Sequence, residues 1–583
     1  MLLGRNGLPG ALLLVLVGLA GIVRSGQLPA PPINTVLMAV ISRLGSGRPR
    51  HIPPPPPRAD GSPDPVTAMR NNLNQILLDA MNAELVKAYA PIGQRGANNA
   101  ATLALVAREA MALANETNHA YMRDRWIGFD ALLQESPELA GLPAVRRVWM
   151  AGQGIRRMWD EGIPKFVEEQ VGPVVMRLMR SHVESVRRKG VIELAHVSKS
   201  GGTSLCKLAQ QANCSTRGFD MYTNCLIREF DDGPRWLDPE RPQPDPPKGA
   251  GNKCKPIVEK DQRPRAPSGM GCKQRREFML QHNYTMYSNE YTAVGSKHHA
   301  SEASASGLSE EAKEAAAAAA AAHACSNMVT ALMLRHPVPR VASFVSHLSA
   351  MSTRRCGSPT SLLFSEDEKA EAMTFDGWAA VAPAHLDNLL IRSLLGEALY
   401  LSPPGSITRE HLAAARLVVL QQYDILLPLD DPPSGVDGTN LATAALRGAL
   451  GWTAHNFKEA RHNARAPDAP DSPLQEMLRS IYDDVKDKQQ VLLDAELYEY
   501  ALTLARLDAI VWDVGYVAET KGANATANGT VSAGVARLGG PCGYLGTVDD
   551  APTVVPAKAA AAAAGAGATA AGGRRRRRRR AEQ

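Results

Sequence analysis

Short apolar runs alternate with amphipathic segments through much of the chain. Residues 191–197, "VIELAHV", are typical of a buried strand, and apolar positions recur at helical spacing over residues 205–212. Residues 328–334, "MVTALML", form a second such run, and residues 341–348 carry the apolar face of a second helix. Repeated strand–helix units of this kind predict an α/β fold with a central parallel sheet.

The pattern changes on both sides of this mixed region. Residues 67–190 are rich in Ala, Leu, Met, Arg and Glu, with apolar positions at helical spacing. Upstream prolines favour an extended stem, and the Ala- and Gly-rich end is too poor in large apolar side chains to fold independently. The predicted segments are 1–26, a signal anchor or signal peptide; 27–66, a Pro-rich stem linker; 67–190, a helical region; 191–515, the α/β domain, with inserts at 234–267 and 301–322; and 516–583, a disordered tail ending in an Arg run.

The N-terminus has the layout of a secretory targeting segment. Arg5 precedes the apolar run Ala11 to Val23, which is shorter than the roughly 20 residues that span an average bilayer. A cleaved signal peptide and an uncleaved signal anchor both remain open, and both deliver the rest of the chain to the secretory lumen. We expect a membrane protein held by this N-terminal anchor, with a secreted protein as the alternative.

Two further features fit an oxidising lumen. The eight cysteines are an even number, and seven of them lie between Cys206 and Cys356, which predicts disulfides without fixing their pairing. No Cys-x-x-Cys pair and no histidines at ligand spacing occur, so a structural zinc site is not expected. N-glycosylation sequons begin at five asparagines: Asn115, Asn213, Asn283, Asn524 and Asn528.

The formal net charge of +6 does not indicate a nucleic-acid partner. Arg574 to Arg580 supply seven positive charges, which leaves 58 of the 65 basic residues against 59 acidic ones in the rest of the chain. A phosphate-backbone footprint spreads over a folded face rather than one terminal run. We therefore expect no nucleic acid as a partner.

The first strand–helix connection reads "HVSKSGGTSL" over residues 196–205. Its two glycines permit unusual backbone dihedrals and close approach, and the first amides of a helix are unpaired donors at the positive end of the helix dipole. Lys199 adds a mobile positive charge. Such a turn either binds an anionic group or only connects a strand to a helix. In the nucleotide P-loop the lysine follows the second glycine, whereas Lys199 precedes both glycines.

The second connection reads "LRHPVPRVASF" over residues 334–344. It places Arg335 at a strand end and Ser343 on the following helix. A guanidinium and a hydroxyl in this arrangement can converge on a phosphate, although arginines also pair with structural carboxylates. Two anion-binding turns on one sheet indicate a ligand with two separated phosphates.

Together the two motifs resemble those of the Golgi membrane-anchored carbohydrate sulfotransferases, which use 3'-phosphoadenosine 5'-phosphosulfate (PAPS). Residues 196–204 are similar to the family's 5'-phosphosulfate motif, H-[VI]-P-K-[TS]-G-G-T-S, and residues 334–343 to its 3'-phosphate motif, L-R-[DN]-P-x-x-R-x-x-S. The resemblance covers about residues 191–515. Three positions depart from the family pattern: Ser198 replaces a usual proline, His336 an acidic residue and Val345 a common aromatic residue.

The resemblance implies a P-loop-like sulfotransferase fold and transfer of a sulfuryl group from PAPS to a hydroxyl of a glycan or proteoglycan, without a metal. Lys199 would act catalytically at the bridging oxygen of the leaving group. The implied location is the Golgi membrane, with a single-pass type II topology and a luminal catalytic domain. The implied PAPS-binding residues are Lys199, Ser200, Gly201, Gly202, Thr203 and Ser204 for the 5'-phosphosulfate, and Arg335 and Ser343 for the 3'-phosphate.

An acceptor hydroxyl needs a general base within hydrogen-bonding reach, and in this family the base comes from the segment between the two motifs. Residues 278–294, "FMLQHNYTMYSNEYTAV", offer His282 and Glu290. Glu290 follows a strand-like run whose end would open onto the cleft, so we expect Glu290 rather than His282. Either residue could also be an ordinary solvated side chain.

The acceptor and the oligomeric state stay open at this stage. A protein tyrosine is an alternative acceptor. A catalytically silent, membrane-anchored glycan-binding protein that keeps the fold is an alternative function. A nucleotide-dependent kinase is a further alternative, but the lysine placement and a magnesium-binding Asp motif are missing.

Overall fold

The computed structural model describes 13 segments of the chain: residues 65–82, 94–159, 165–220, 223–238, 241, 244–245, 254, 270–294, 324–430, 440–452, 473–485, 489–526 and 541–545. The predicted anchor (1–26), most of the stem, the insert at 301–322 and the Arg run at 574–580 lie outside the described residues. Among the residues described, no helix has both the length and the apolar character to cross a membrane.

Four short strands form one sheet in the order β2-β1-β3-β4, and every neighbouring pair is parallel. Almost every strand residue is buried, as expected for parallel strands covered by helices. The predicted α/β fold with a parallel sheet is confirmed, and two of its strands lie at the two predicted apolar runs. The strands are β1 (Ile192–His196), β2 (Met286–Asn289), β3 (Val329–Leu334) and β4 (Ile425–Pro428).

Helices make up most of the described chain, and three short 3-10 helices lie at Arg228–Phe230, Glu371–Met373 and Gly543–Leu545. The α-helices are α1 (Pro65–Asn82), α2 (Gln94–Asn115), α3 (His119–Glu135), α4 (Pro137–Ala140), α5 (Pro143–Trp159), α6 (Lys165–Lys189), α7 (Gly202–Gln211), α8 (Cys272–Gln281), α9 (Pro337–Cys356), α10 (Phe375–Val381), α11 (Pro383–Leu386), α12 (Leu389–Leu395), α13 (Glu397–Tyr400), α14 (Arg409–Gln422), α15 (Leu441–Leu450), α16 (Pro473–Val485) and α17 (Gln489–Thr526).

Helix α9, which follows β3, shows how the sequence sets an element's ends. The ring nitrogen of His336 accepts a hydrogen bond from the backbone N–H of Val338, and Pro337 occupies the first helical position, where its missing N–H costs nothing. Gly357 ends the helix with a φ of 77°, a conformation that favours glycine. The His336 cap and Pro337 thus begin α9 directly after β3, at the carboxyl edge of the sheet.

The N-terminal helices share one hydrophobic core with the sheet. Leu77, Trp149 and Leu178 belong to the same cluster of buried side chains as Ile192 and Leu332 of the central strands. The described residues up to Leu545 accordingly fall within one compact unit. The boundary predicted at residue 190 therefore marks a change of secondary structure inside a common core.

Buried charges tie α5 and α6 to the sheet side of this core. Arg146 and Arg147 of α5 both bind Asp508 of α17, with closest N–O distances of 2.6 and 2.8 Å. Lys189, at the end of α6, lies 2.6 Å from the carboxylate of Asp424, which precedes β4. All five side chains except Lys189 are almost completely buried, so these contacts fix α5 against α17 and the end of α6 against the start of β4.

All eight cysteines are paired in four disulfides. Their pairing was not predictable from spacing alone, because eight cysteines allow 105 connectivities. Such bonds persist in oxidising compartments, which fits the predicted luminal location. The pairs are Cys206–Cys225, Cys214–Cys542, Cys254–Cys356 and Cys272–Cys325.

The packed chain differs from two predicted boundaries. Helix α17 continues to Thr526, beyond the domain end predicted at residue 515, and Cys542, Tyr544 and Leu545 are buried against the core. These three side chains attach residues 542–545 to the core, although the surrounding sequence is rich in Ala and Gly. The insert predicted from residue 234 likewise begins inside the fold, because Leu237 packs in a hydrophobic cluster with α9.

We expect replacing both Cys214 and Cys542 by serine to cost about 2–5 kcal/mol of the free energy of unfolding, because this disulfide links residues 328 positions apart. The same double change at Cys206 and Cys225, only 19 positions apart, should cost less. Denaturant unfolding under non-reducing conditions measures both. An equal loss in the two variants would mean that loop length does not determine the effect.

Candidate functional site

The strand order creates a crevice between the carboxyl ends of β1 and β3. The chain leaves β1 for β2 on one side, and then crosses to β3 on the other side of β1. Ligands of open parallel sheets bind outside the carboxyl ends of the strands, where the connections depart in opposite directions. His196 pairs in register with Met333 at this edge, so the turns that follow β1 and β3 emerge side by side.

The turn after β1 contains two residues in the left-handed region. Lys199 has a φ of 69° and Gly201 a φ of 101°. This conformation costs nothing for glycine but is strained for lysine, and such strain is concentrated at functional sites. Arg335 Nη1 donates a hydrogen bond of 3.0 Å to the carbonyl oxygen of Lys199, which joins the two motif turns.

The two glycines of this turn serve different needs. A Cβ on Gly202 would lie 2.3 Å from the ring of His196, so glycine is required there by the close contact with β1. The N–H of Gly202 donates to Nε2 of His196 at 3.1 Å, and the N–H of Ser204 donates to the carbonyl oxygen of Gly201 at 3.0 Å. Two amides that the sequence predicted as phosphate donors therefore have partners within the turn.

Polar groups without partners converge on the crevice instead. Within the described part of the chain, Ser200 Oγ, Arg335 Nε and two nitrogens of Arg340 (Nε and Nη1) are buried and make no hydrogen bond. All three side chains line the crevice. Unpaired buried donors are rare because each costs the free energy of its desolvation. The rest of the lining is Val197, Met333, Pro337, Leu390 and Asp494, and the crevice is closed to water-sized molecules in this conformation.

Arg340 belongs to the second motif, but the sequence does not predict that it faces a ligand. It is 2% exposed, its Nη2 donates to the carbonyl oxygen of His385 at 2.7 Å, and burial lowers its pKa to about 10. Asp494 lies across the crevice and accepts hydrogen bonds from the amides of Leu390 and Ile391, while burial raises its pKa to about 6. Arg340 is therefore a buried cation whose charge is only partly matched.

The other two residues of the second motif are placed as follows. Arg335 directly follows β3, and its Nε lies 3.4 Å from a carboxylate oxygen of Asp430, just beyond β4. Ser343 is half-buried on α9, three residues after Arg340 and hence on the same helical face. The Asp430 contact supports the structural alternative for Arg335, since a phosphate would have to compete with this carboxylate.

Glu290 follows β2 at the same edge of the sheet and lies next to the lysine turn, the turn after β1 that contains Ser198 and Lys199. The β1–β2 register places it opposite His196, whose Nδ1 is 3.4 Å from Glu290 Oε2. Ser198 Oγ donates to Glu290 Oε1 at 2.8 Å, so the residue that replaces the family's proline has a partner of its own. Because His196 Nε2 accepts from Gly202, the proton of a neutral ring lies on Nδ1 and faces the carboxylate.

These neighbours decide the charge of Glu290. Burial alone would raise its pKa, but His196, Ser198 and Lys199 together lower the pKa to about 2. Burial in turn lowers the pKa of Lys199, with Glu290 opposing that shift and Arg335 adding to it. The site therefore holds a fixed carboxylate beside a half-buried ammonium, and Glu290 is a weak proton acceptor.

His282, the other predicted base, is not brought to this edge. It is exposed between α8 and the start of β2, at the opposite end of the parallel strands from Lys199. Its Nδ1 lies 2.8 Å from the carbonyl oxygen of Phe278, and its ring stacks on that of Phe278. His282 precedes β2 and Glu290 follows it, so the two residues lie at opposite ends of this strand.

We expect Glu290→Gln to be less stable than the wild type at pH 7 and to lose this disadvantage on acidification. The folded-state pKa of Glu290 lies below its unfolded value, so its stabilisation is present above about pH 4.5 and is lost as the pH falls toward 2. Denaturant unfolding of both proteins at pH 7, 5 and 3.5 measures the difference. A difference that stays constant over this range would contradict the assignment.

The fold and the crevice together define an α/β protein with a cationic crevice at the carboxyl ends of β1 and β3, the point of the parallel sheet where the chain connections depart in opposite directions. No protein-family model, curated protein or solved structure matches this chain. Among the described residues, no group of three or more His, Cys, Asp or Glu side chains is placed to hold a metal ion.

Proposed function

We propose that this chain is a PAPS-dependent sulfotransferase of the secretory pathway, with a sulfotransferase variant of the α/β fold. It transfers a sulfuryl group to a hydroxyl of a glycan or proteoglycan. The observation that carries the proposal is the crevice at the carboxyl ends of β1 and β3, where the Arg335 guanidinium meets donors of Ser200 and Arg340 that make no hydrogen bond. The three donor atoms without a hydrogen bond or ion pair, Ser200 Oγ and the Nε and Nη1 of Arg340, match a ligand that brings anionic oxygens.

Both motif turns contribute to this crevice, which supports a donor with two separated phosphates. Lys199, Ser200, Gly201 and Thr203 would hold the 5'-phosphosulfate end, and Arg335 and Ser343 the 3'-phosphate. Arg340 adds a cation that the motif resemblance does not assign to the ligand. PAPS supplies the activated sulfuryl group; the chain supplies orientation and positive charge near the leaving oxygen.

Binding requires the crevice to widen, because it is closed to water-sized molecules in the structure described. Asp494 lines the crevice, and Asp430 pairs with the Arg335 that lines it. Moving the Asp430 carboxylate from Arg335 would expose the guanidinium for bidentate phosphate binding. We therefore expect bisphosphate affinity to rise in Asp430→Asn.

The four disulfides support a luminal catalytic domain, and we propose a type II protein of the Golgi membrane held by residues 1–26. The proposed transfer needs no metal, and its partner is a glycan acceptor. A protein tyrosine is the alternative acceptor.

Calorimetry on the purified full-length protein tests the function through its product, adenosine 3',5'-bisphosphate. We expect micromolar binding that is selective over ATP, lost in Arg335→Ala and kept in Arg409→Ala, whose guanidinium is exposed at the surface. Preference for ATP would favour a kinase. No binding of either nucleotide by the folded protein would overturn the proposal and favour a silent glycan-binding protein.

A further inference from the structure

A histidine outside both motifs lies on the helix that carries Arg340 and Ser343. His347 is half-buried on α9, four residues after Ser343 and seven after Arg340, so all three share one helical face. Its ring packs edge-on against that of Trp236, with 5.1 Å between the ring centroids. In the sequence it stands among the apolar positions of a helix, where a histidine has no pattern that indicates a function.

Charged groups from three elements act on this ring. Lys199 in the turn after β1, Glu290 just after β2 and Arg354 on α9 all act on it electrostatically. Burial, Lys199 and Arg354 lower its pKa, Glu290 opposes them, and the resulting pKa is about 4. His347 is therefore neutral at physiological pH, which leaves one ring nitrogen able to accept a proton.

His347 also has free hydrogen-bonding capacity. Within the described residues neither of its ring nitrogens makes a hydrogen bond, whereas both carboxylate oxygens of Glu290 face partners, Ser198 and His196. The Glu290 charge is thus committed to the lysine turn. A neutral imidazole with an unused nitrogen is better suited to take a proton than a carboxylate whose two oxygens already have partners.

We propose that His347 is the general base of the transfer, and that Glu290 is a positioning residue that holds Ser198, His196 and Lys199. This inference rests on the proposed function. The acceptor hydroxyl oxygen forms a bond to sulfur while the bond from sulfur to the 5'-phosphate oxygen breaks. The electron pair of the broken bond stays on the phosphate oxygen beside Lys199, and the hydroxyl proton passes to His347.

The charges around His347 fit both halves of this step. Before transfer, Lys199 disfavours the imidazolium and keeps the ring neutral. The negative charge that forms on the leaving oxygen offsets the positive charge of Lys199, so Lys199 no longer disfavours the imidazolium. The Glu290 carboxylate then stabilises the new imidazolium. Lys199 and Glu290 thus couple proton transfer to departure of the phosphate.

The test measures sulfate incorporation from labelled PAPS into a pool of chemically desulfated glycosaminoglycans, and release of the bisphosphate with water as acceptor. We expect His347→Gln to bind the bisphosphate within about twofold of wild type but to transfer sulfate about 10²- to 10⁴-fold more slowly. Imidazole should partly rescue His347→Ala. The matched control, His282→Gln, should behave as wild type.

A measurement that needs no acceptor completes the test. Brief treatment with diethyl pyrocarbonate at pH 6, followed by peptide mapping, should modify His347, because only a neutral, accessible imidazole reacts. Full transfer by His347→Gln, or an unmodified His347 beside a modified His282, would overturn the inference and leave the proposed function intact. Failure of the wild type to bind the bisphosphate would instead remove the function on which the inference rests.

Discussion

Lys199→Gly is expected to reduce sulfuryl transfer by about 10²- to 10³-fold or more while the fold remains intact. The change removes the one ammonium at the turn between β1 and α7, where charge would develop on the leaving oxygen. Burial of Lys199 near Glu290 and Arg335 makes this charge act at short range in a partly desolvated site. Sulfate incorporation from PAPS measures the loss, and bisphosphate calorimetry shows whether binding survives.

The same variant tests whether the turn stores strain for function. Lys199 has a φ of 69°, a conformation that costs a non-glycine residue about 1 kcal/mol and glycine nothing. Lys199→Gly should therefore be about as stable as Lys199→Ala or up to about 1 kcal/mol more stable, even though glycine raises the entropy of the unfolded chain. A clearly less stable glycine variant would mean that the left-handed conformation carries no strain.

Lys199→Arg and Lys199→Gly together separate the proposed functions. Lys199→Arg keeps the charge but not its position, and should retain only part of the transfer activity, because the guanidinium is planar and larger. A silent glycan-binding protein would bind glycans equally well with or without Lys199. Unchanged sulfate transfer in Lys199→Gly would exclude the lysine as the group that stabilises the leaving oxygen.

Local patterns were sufficient to predict the parallel sheet. The runs at 191–197 and 328–334 became β1 and β3 because buried parallel strands are apolar on both faces. The motif turns then had to emerge at one edge, since all four strands run the same way. The meeting of distant segments could not be predicted: Arg340 and Asp494 in one crevice, or Cys214 and Cys542 in one disulfide, depend on the packing of the whole chain.

The candidate site was only partly predictable for the same reason. Lys199, Arg335 and Glu290 follow strands, and this position identified them. The hydrogen bond from the Gly202 amide to the His196 ring depends on how that ring is oriented, and sequence spacing does not predict ring orientation. His347 lies one helical turn beyond Ser343 and was indistinguishable in sequence from a core histidine.

Asp508→Ala is expected to destabilise the whole protein by about 3–5 kcal/mol, the largest stability effect among the changes considered. Its two carboxylate oxygens bind Arg146 and Arg147, and the three side chains are at most 2% exposed. Burial raises the pKa of Asp508, but the two guanidinium groups more than offset this and lower it. Without the carboxylate, two buried cations would lose their counter-charge and keep hydrogen bonds to the carbonyl oxygens of Asp424, Val419 and Leu420.

The matched control lies on the same helix. Glu496 of α17 pairs with Arg409 at the surface, where both side chains are well exposed, and Glu496→Ala should change the free energy of unfolding by less than about 1 kcal/mol. Denaturant unfolding at pH 7 measures both variants. A small loss in Asp508→Ala would imply that α5 is not held by this cluster. A large and single cooperative loss would mean that the N-terminal helices and the sheet unfold together, because the crevice and the helical region depend on one core.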